Sequence, residues 1–382
     1  MIDTVGSACC GGYEPDAVLL AVRAAVAAAG GLPPVAGKRV LLKPNLLSDA
    51  GPDTASTTHP EVVYAVGRLI AEAGGTVIIA DSPGAGNLYT RRALNRIYLR
   101  SGIAAAAERL GAELSFDTTY DEVSYPAGVR MKRFTLIHPV RDAEVIISVC
   151  KLKTHMFTQF SGAVKNTFGV VPGLDKPVFH SRFVRQEEFS EMLVDLNELV
   201  QPDFVVMDAV VGMEGNGPMG GDPRFAGYVF TSRSVYALDV VAQRLIGMEP
   251  DRIATTAIAR GRGLLDAVDV CGDPVVPIAG YALPPTYHVP SENSRFRRAV
   301  LSRFQKAGKL YAPVPHTVPE RCTGCGQCVR ICPEHAVLLV SGVAAFDLHM
   351  CIRCYCCHEM CRFHAIELKT GLAGRILHRI LG

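Results

Sequence analysis

Residues 60–84 read PEVVYAVGRLIAEAGGTVIIADSPG and contain the pattern of a helix followed by a strand. Pro60 suits the first position of a helix, and Gly74-Gly75 suit its exit. The apolar run at 76–80 is typical of a buried strand, and it ends at the polar pair Asp81-Ser82. The stretch therefore predicts a helix-to-strand unit whose strand ends in polar side chains.

The alternation of strands with helices continues along the chain. Further strands are predicted at 38–43, 144–149, 203–207 and 227–231, and further helices at 91–110, 187–200 and 234–246. Such alternation is typical of a parallel sheet with helices on both faces. We therefore expect an α/β fold over residues 1–283, with a mostly parallel sheet covered by helices.

Polar residues follow the predicted strands, at the edge where α/β sheets bind their ligands. Basic residues there suit an anionic group, and a histidine suits proton transfer near neutral pH. The candidates for catalysis are Lys153, His155 and Lys165. The candidates for binding a cofactor or substrate are Lys43, Asn45, Asp81, Lys151 and Asn166, and Lys176 and His180 extend the site. The alternative is that these are surface lysines and a histidine satisfied within the core.

A glycine-rich stretch at 215–220 (GNGPMG) matches the G-x-G-x-x-G pattern of dinucleotide-binding loops. That fingerprint needs a helix to begin at the loop. Here Pro218, Asp222 and Pro223 intervene, and the next segment reads as a strand. We therefore interpret the stretch as a tight turn that shapes a pocket rather than as a nucleotide site.

Composition narrows the class of protein. The chain has 382 residues, of which 49% are hydrophobic, and a formal net charge of +2 from 39 basic and 37 acidic residues. Such a chain has ample material for a core, and its balanced charge gives no case for nucleic-acid binding. No apolar run approaches the roughly 18 residues of a membrane span, and a basic leader is missing. We expect a cytoplasmic protein with no transmembrane segment.

Nine of the 13 cysteines lie between positions 322 and 361, and eight of the nine form two runs with C-x2-C-x2-C-x3-C spacing. The runs are Cys322, Cys325, Cys328 and Cys332, and then Cys351, Cys354, Cys357 and Cys361. At this spacing three cysteines wrap one [4Fe–4S] cube and the fourth ligates the other. We therefore predict two [4Fe–4S] clusters, with Cys361 completing the first set and Cys332 the second. Structural zinc, the alternative, uses paired C-x2-C knuckles with long spacers.

Residues 320–370 resemble the bacterial two-[4Fe–4S] ferredoxins over their whole length, which implies a small α+β ferredoxin-like domain. The two runs differ in the residue that follows their last cysteine. This residue is Pro333 in the first run and Arg362 in the second. Cys356 fits neither run, so it is an alternative ligand, a reactive thiol or an incidental one. Cys9 and Cys10 form a vicinal pair that binds a metal, reports redox state or is incidental.

Two further segments complete the organisation of the chain. Residues 284–319 form a proline-bearing linker with a basic insert, which is either a solvated face or a docking patch for an acidic redox protein. The insert contains Arg295, Arg297, Arg298, Arg303, Lys306 and Lys309. Residues 371–382 form an amphipathic helix that packs back onto the protein or binds a membrane surface or partner.

Seven motifs in one order carry a family resemblance. They are LLKPN (41–45), STTHPEVV (56–63), IADSPG (79–84), KLKTH (151–155), SGAVKNTFG (161–169), MEGNGP (213–218) and ALDVVA (237–242). Together they resemble the domain-of-unknown-function family 362, whose members often carry a ferredoxin module. The resemblance implies an iron–sulfur protein and leaves the substrate unassigned. A more distant likeness to the nickel-pincer lactate racemases concerns the fold alone.

These observations lead to one functional hypothesis and two rivals. The hypothesis is a redox protein whose clusters relay electrons to an anionic substrate or cofactor in the α/β domain. One rival is a non-catalytic electron carrier that docks a redox partner protein. The other is an assembly factor that reduces a metal or cofactor precursor. The sequence leaves the oligomeric state open.

Overall fold

The computed structural model describes residues 2–84, 87–173, 175–287, 314–359, 361 and 363–369. The part up to residue 287 is here called the α/β body, and the part from residue 314 to residue 369 the cysteine module. The predictions for the basic insert, for Arg362 and for a helix at 371–382 lie outside the described residues.

The strands and helices are as follows. The strands are β1 (Asp3–Cys9), β2 (Arg39–Pro44), β3 (Thr76–Ile79), β4 (Glu113–Leu114), β5 (Tyr120–Ser124), β6 (Arg133–Ile137), β7 (Val145–His155), β8 (Gln159–Ser161), β9 (Phe204–Asn216), β10 (Gly220–Ser232), β11 (Val268–Gly272), β12 (Val314–Thr317), β13 (Val337–Val340), β14 (Val343–Phe346) and β15 (Ile366–Lys369). The helices are α1 (Pro15–Ala28), α2 (Pro60–Glu72), α3 (Arg91–Arg100), α4 (Ile103–Leu110), α5 (His138–Arg141), α6 (Ala163–Asn166), α7 (Asp175–Arg182), α8 (Gln186–Val200), α9 (Val235–Leu245), α10 (Ala254–Gly261), α11 (Gln327–Ile331) and α12 (Cys356–Glu359).

The main sheet of the α/β body is mostly parallel. Its strand order is β11-β1-β10-β9-β7-β2-β3-β4, and β8 pairs with the end of β7. The pairs β1/β11, β2/β3, β2/β7, β3/β4 and β7/β9 are parallel, whereas β10 runs antiparallel to both of its neighbours. The predicted α/β class with a mostly parallel sheet is therefore confirmed.

Both faces of this sheet are buried. On one face, alternate strand residues such as Leu41 and Val205 pack into a core with α8, α9 and α10. On the other face, the intervening residues such as Leu42 and Val206 pack into a core with α1 to α4. Two-sided burial explains the unbroken apolar runs of the central strands. The first core reaches Tyr287, which is buried, so the packing of the α/β body continues through the start of the proline-rich segment.

The cysteine module is a small α+β unit. β12 pairs antiparallel with β15, β13 pairs antiparallel with β14, and the short helices α11 and α12 lie beside them. Its core contains Val337, Ala344 and Ile366 together with Cys328 and Cys357. Cysteines thus form part of the small apolar core itself.

Two predicted boundaries differ from the structure. The strand predicted at 144–149 continues to His155, and all of its residues are buried, so Lys151, Lys153 and His155 lie within β7 and not after its end. The helix predicted at 91–110 is two helices, α3 and α4, separated at Gly102, whose φ of 77° is outside the helical range.

Candidate functional site

A cavity lies at the meeting point of the α/β body and the cysteine module. Its lining includes Asn45, Asp81, Ser82, Lys153, His155, Ser161, Lys165, Asn166, Phe168, Lys176, His180 and Pro218 from the body, and Ile331, Cys356 and Glu359 from the module. The volume of the cavity is about 90 Å³. We call it the inner cavity. It accepts a small group and is lined by several amines.

Lys153 is an amine in the inner cavity that pairs with neutral oxygens. The residue is 1% exposed, and its Nζ donates to Asn45 Oδ1 and to the Ser56 carbonyl oxygen, each at 2.8 Å. Burial, and then the charges of Lys165 and Lys151, lower the pKa of Lys153 to about 7. Near neutral pH, Lys153 therefore exchanges between its neutral and charged forms, and an added anion would favour the charged form.

The tautomer of His155 follows from the turn after β7. Its Nδ1 accepts hydrogen bonds from the backbone N–H groups of Phe157 at 3.0 Å and Thr158 at 3.2 Å. The single ring proton of the neutral imidazole therefore resides on Nε2. Burial lowers the pKa of His155 well below its ordinary value, so the ring is neutral. Nε2 faces the Lys165 amine and lies 3.4 Å from Glu359 Oε1.

Lys165 is held in place by a clamp on α6. The carboxylate of Asp239, in α9, accepts the backbone N–H groups of Ala163 at 2.6 Å and Val164 at 3.1 Å. A Cβ at Gly162 would lie 2.2 Å from Asp239 Oδ1, so glycine permits this approach. Burial lowers the pKa of Lys165 to about 8, and the nearby Glu359 carboxylate opposes that shift.

Lys176 and His180 of α7 form another part of the wall. The Lys176 Nζ donates to the carbonyl oxygens of Val171 at 2.7 Å and Ser82 at 2.9 Å, and burial lowers its pKa to about 7. The His180 ring stacks on Phe189 with centroids 4.4 Å apart. Its buried Nδ1 has no hydrogen-bond partner within the part of the chain that the structure describes.

A second group of contacts holds the Asp81 carboxylate and the side-chain amides of Asn45 and Asn166 in place. Asp81 forms a buried ion pair with Lys43 at 2.7 Å and accepts the Leu46 N–H at 2.8 Å. Asn45 Nδ2 donates to Asn166 Oδ1 at 3.2 Å, and Asn166 Nδ2 donates to the Ser148 hydroxyl at 2.8 Å. Lys43 thus contributes through Asp81, whereas Asn45 and Asn166 line the cavity themselves.

The Lys151 amine lies outside the inner cavity. Its Nζ donates to Asp208 Oδ2 and to the Tyr13 hydroxyl, each at 2.8 Å, and Tyr13 in turn donates to Asp208 Oδ1 at 2.8 Å. The register between β7 and β9 shifts between Lys151 and Lys153. Lys151 therefore belongs to a buried network that ties the N-terminal segment to β9, apart from the inner cavity.

The eight predicted ligand cysteines surround two small cavities in the cysteine module. One cavity is lined by Cys322, Cys325, Cys328 and Cys361. The other is lined by Cys332, Cys351, Cys354 and Cys357, and also by Cys356. Each cavity receives three cysteines of one run and the fourth of the other, which is the grouping derived from the spacing.

The internal repeat is visible in the backbone as well. Cys332 Sγ accepts the N–H of Ala336 and Cys361 Sγ accepts the N–H of Ala365, both at 3.2 Å. His335 and His364, at matching positions, have φ values of 51° and 50°. The two halves therefore present their fourth cysteines in the same way.

Several residues of the site are absent from the sequence candidates for it, among them Asp239, Glu359 and Cys356. Asp239 lies within the helix predicted at 234–246, and the sequence pattern assigns no role to Glu359. Cys356 is expected to be an alternative ligand, a reactive thiol or an incidental one, and it lines both the inner cavity and the cavity of the second run. The position of Glu359 two residues before Cys361 does not show what the module faces, so the sequence carries no signal for its place in the site.

The chain matches the domain of unknown function DUF362 over residues 40–244, more than half of its length. The chain belongs to the DUF362 family. Residues 315–338 match a 4Fe-4S binding domain, which indicates an iron–sulfur protein of the electron-transfer class. The DUF362 match covers every α/β residue of the inner cavity named above.

This DUF362 member is similar to the following known proteins. It is 35% identical over 258 residues to a thylakoid-associated protein of Synechocystis sp. strain PCC 6803, covering 66% of this chain and 77% of that one. The lactate racemase apoprotein of Thermoanaerobacterium thermosaccharolyticum is 12% identical with a TM-score of 0.35, covering 56% of this chain and 51% of that one. A protein from Thermotoga maritima is 13% identical with a TM-score of 0.34, covering 55% and 53%. The chain spans about half the length of these two structures.

Helix length and polarity bear on membrane insertion. Within the ranges that the structure describes, every helix is too short or too polar to cross a membrane.

Proposed function

We propose that this DUF362 protein is an iron–sulfur oxidoreductase in which electrons pass from two [4Fe–4S] clusters to an anionic substrate in the inner cavity. One observation carries the proposal. Cys356 lines the inner cavity, and it also lines the cavity surrounded by Cys332, Cys351, Cys354 and Cys357. A single side chain thus separates the second cluster site from a cavity rich in amines.

The donor sets fit the two clusters. Each cavity of the module is lined by one predicted set of four ligand cysteines, the number that a cube with four iron corners requires, and Cys356 lies beside the second set. When bound, the clusters supply single electrons. The N–H groups of Ala336 and Ala365 donate to the sulfur atoms of Cys332 and Cys361, and such bonds favour the reduced cluster. A cytoplasmic redox protein of the ferredoxin class is the proposed electron source.

The amines select the substrate class. Lys153, Lys165 and Lys176 line one small cavity, in which the carboxyl groups are Asp81 and Glu359. Asp81 is already paired with Lys43. An incoming carboxylate or similar anion would accept hydrogen bonds from the Lys153 and Lys165 amines and from the Asn166 amide. It would displace neutral oxygens from Lys153 and would compete with the Glu359 carboxylate for Lys165.

Lys165, and not His155, is the proposed proton donor. The amides of Phe157 and Thr158 occupy His155 Nδ1, and Nε2 already carries the ring proton, so the ring has no free position for another. Lys165, with a pKa of about 8, can give a proton to a substrate that has gained an electron. The neutral amine that remains can then accept the His155 Nε2–H bond, and solvent returns the proton. His155 thus positions Lys165 in its neutral form, after the proton has left.

The test uses the full chain, purified without oxygen. The small molecule that co-purifies is identified by mass spectrometry, and Lys165→Met and His155→Gln variants are compared with the wild type for binding and turnover. We expect Lys165→Met to retain the iron and lose turnover. A non-catalytic carrier would instead exchange electrons with its partner equally well in both variants, which would contradict the proposal.

A further inference from the structure

A second recess lies on the outer side of Ile331, between α3 of the α/β body and α11 of the cysteine module. Its volume is about 790 Å³. Four guanidinium groups line it, from Arg92, Arg96, Arg100 and Arg330. We call this recess the arginine groove. The electron relay described above makes no use of it.

The arginines are arranged on two facing elements. Arg92, Arg96 and Arg100 are spaced four residues apart on α3, so they project from one face of that helix, and all three are exposed. Arg330 lies across the groove on α11, where its guanidinium donates to the Gln327 side-chain oxygen at 2.8 Å and to the Cys325 carbonyl oxygen at 3.3 Å. Like charges therefore face each other where the two modules meet.

Among the described residues that line the groove, one side chain is acidic. Asp49 is the carboxylate in the groove lining, at 3.2 Å from Arg96 Nε and 3.9 Å from Arg100 Nη1. Four guanidinium groups against one carboxylate leave an excess of positive charge in a concave site. An anion with several oxygens would relieve this repulsion, and planar guanidinium groups match phosphate oxygens two at a time.

We propose that the arginine groove binds a phosphate or diphosphate group of the substrate, whose other end enters the inner cavity past Ile331. Ile331 lines both spaces, so they are neighbours. The inner cavity has room for only a small group, and a larger substrate needs a second site. The volume of this recess lies within the range of small-molecule sites.

The link between the groove and the substrate rests on the proposed function of the inner cavity, but phosphate binding in the groove does not. It is measured with inorganic pyrophosphate by titration calorimetry on full-length protein that carries its iron. We expect Arg92→Ala and Arg330→Ala each to weaken binding by about tenfold, and the double variant by about a hundredfold. The matched control is Arg133→Ala, which removes an exposed arginine that pairs with Glu122 at 3.0 Å on β5 and β6. It should bind as the wild type does.

Two results would overturn the groove proposal. One is equal loss of affinity in the Arg133→Ala control, which would indicate unspecific charge attraction. The other is no pyrophosphate binding, with slower reduction of the Arg92→Ala and Arg330→Ala variants by an acidic ferredoxin, which would make the groove a protein-docking surface. The Lys165→Met variant tests the electron relay separately. If the arginine variants lose pyrophosphate binding while Lys165→Met keeps full turnover, the groove proposal is supported and the relay proposal is contradicted.

Discussion

The imidazole Nε2 of His155 lies 3.4 Å from Oε1 of Glu359, so the central strand of the α/β body meets the last described helix of the cysteine module. The side chains are 1% and 13% exposed. The module therefore closes one wall of the inner cavity. A chain cut before the module would lose this wall and expose Lys165, so the two parts form one site.

Iron content tests the cluster assignment. Anaerobically purified protein should hold about eight irons per chain, because two cubes contain four each. Cys332→Ser and Cys361→Ser should each damage mainly the cluster formed by the opposite run, which cluster spectra can distinguish. Cys356→Ala is the matched control and should keep all of the iron. One or two metals per chain, stoichiometric zinc, or loss of half the iron in Cys356→Ala would each contradict the assignment.

Anion binding tests the amines of the inner cavity. Lys153→Met and Lys165→Met keep the shape of the side chain and remove the charged donor. Each should weaken binding of oxalate, a small anion that is the probe here, by about 1.5–3 kcal/mol. Lys38→Met, at a half-buried position outside the cavity lining, should change nothing. Calorimetry on iron-loaded protein measures the effect, and unchanged affinity in both cavity variants would make these lysines structural.

The lysine pKa values predict how binding depends on pH. Free Lys153 and Lys165 have pKa values of about 7 and about 8, so both lose charge as pH rises through this range. A bound anion favours the ammonium form and raises the pKa of both groups. Binding should therefore take up protons between pH 7 and 9, and oxalate affinity should fall as pH rises. Calorimetry in two buffers of different ionisation heat counts the protons, and constant affinity with no uptake would refute the prediction.

The contact between Gly162 and Asp239 predicts a stability effect. A Cβ at residue 162 would lie 2.2 Å from Asp239 Oδ1, so Gly162→Ala must displace the carboxylate that holds α6. We expect a loss of about 1–3 kcal/mol in the free energy of unfolding, together with weaker oxalate binding. Gly11→Ala is the control, because its added Cβ has no atom within 4 Å. Equal stability of the two variants in denaturant titrations would show that the clamp is unimportant.

The sequence was a good guide to the sheet and a poorer one to its ends. Predicted strands and helices recur in the structure because the central strands are apolar on both faces. β7 was predicted too short because a strand with Lys151, Lys153 and His155 looks incompatible with burial. The partners that make it possible, Asp208 and Asn45, come from distant parts of the chain. Local patterns do not contain that information.

Strand β1 is a second element that its local sequence does not predict. β1 contains small and polar residues, so its sequence gives no apolar run. One of these small residues, Gly6, has a structural reason, since a Cβ there would lie 2.0 Å from the Ala25 carbonyl oxygen of α1. Close packing of α1 selects glycine at that position. The sequence likewise does not predict how the cysteine module packs on the α/β body, because the spacing of cysteines within a motif does not reveal what the motif faces.

The most direct test of the relay is single-turnover reoxidation of the clusters. Full-length protein is reduced by dithionite without oxygen, freed of excess reductant, and mixed with the small molecule that co-purified with it. We predict that both clusters are reoxidised by the wild type, and that Lys165→Met, with the same iron content, does so at least tenfold more slowly. Clusters that stay reduced, or that are reoxidised equally fast in Lys165→Met, would contradict electron delivery to the inner cavity.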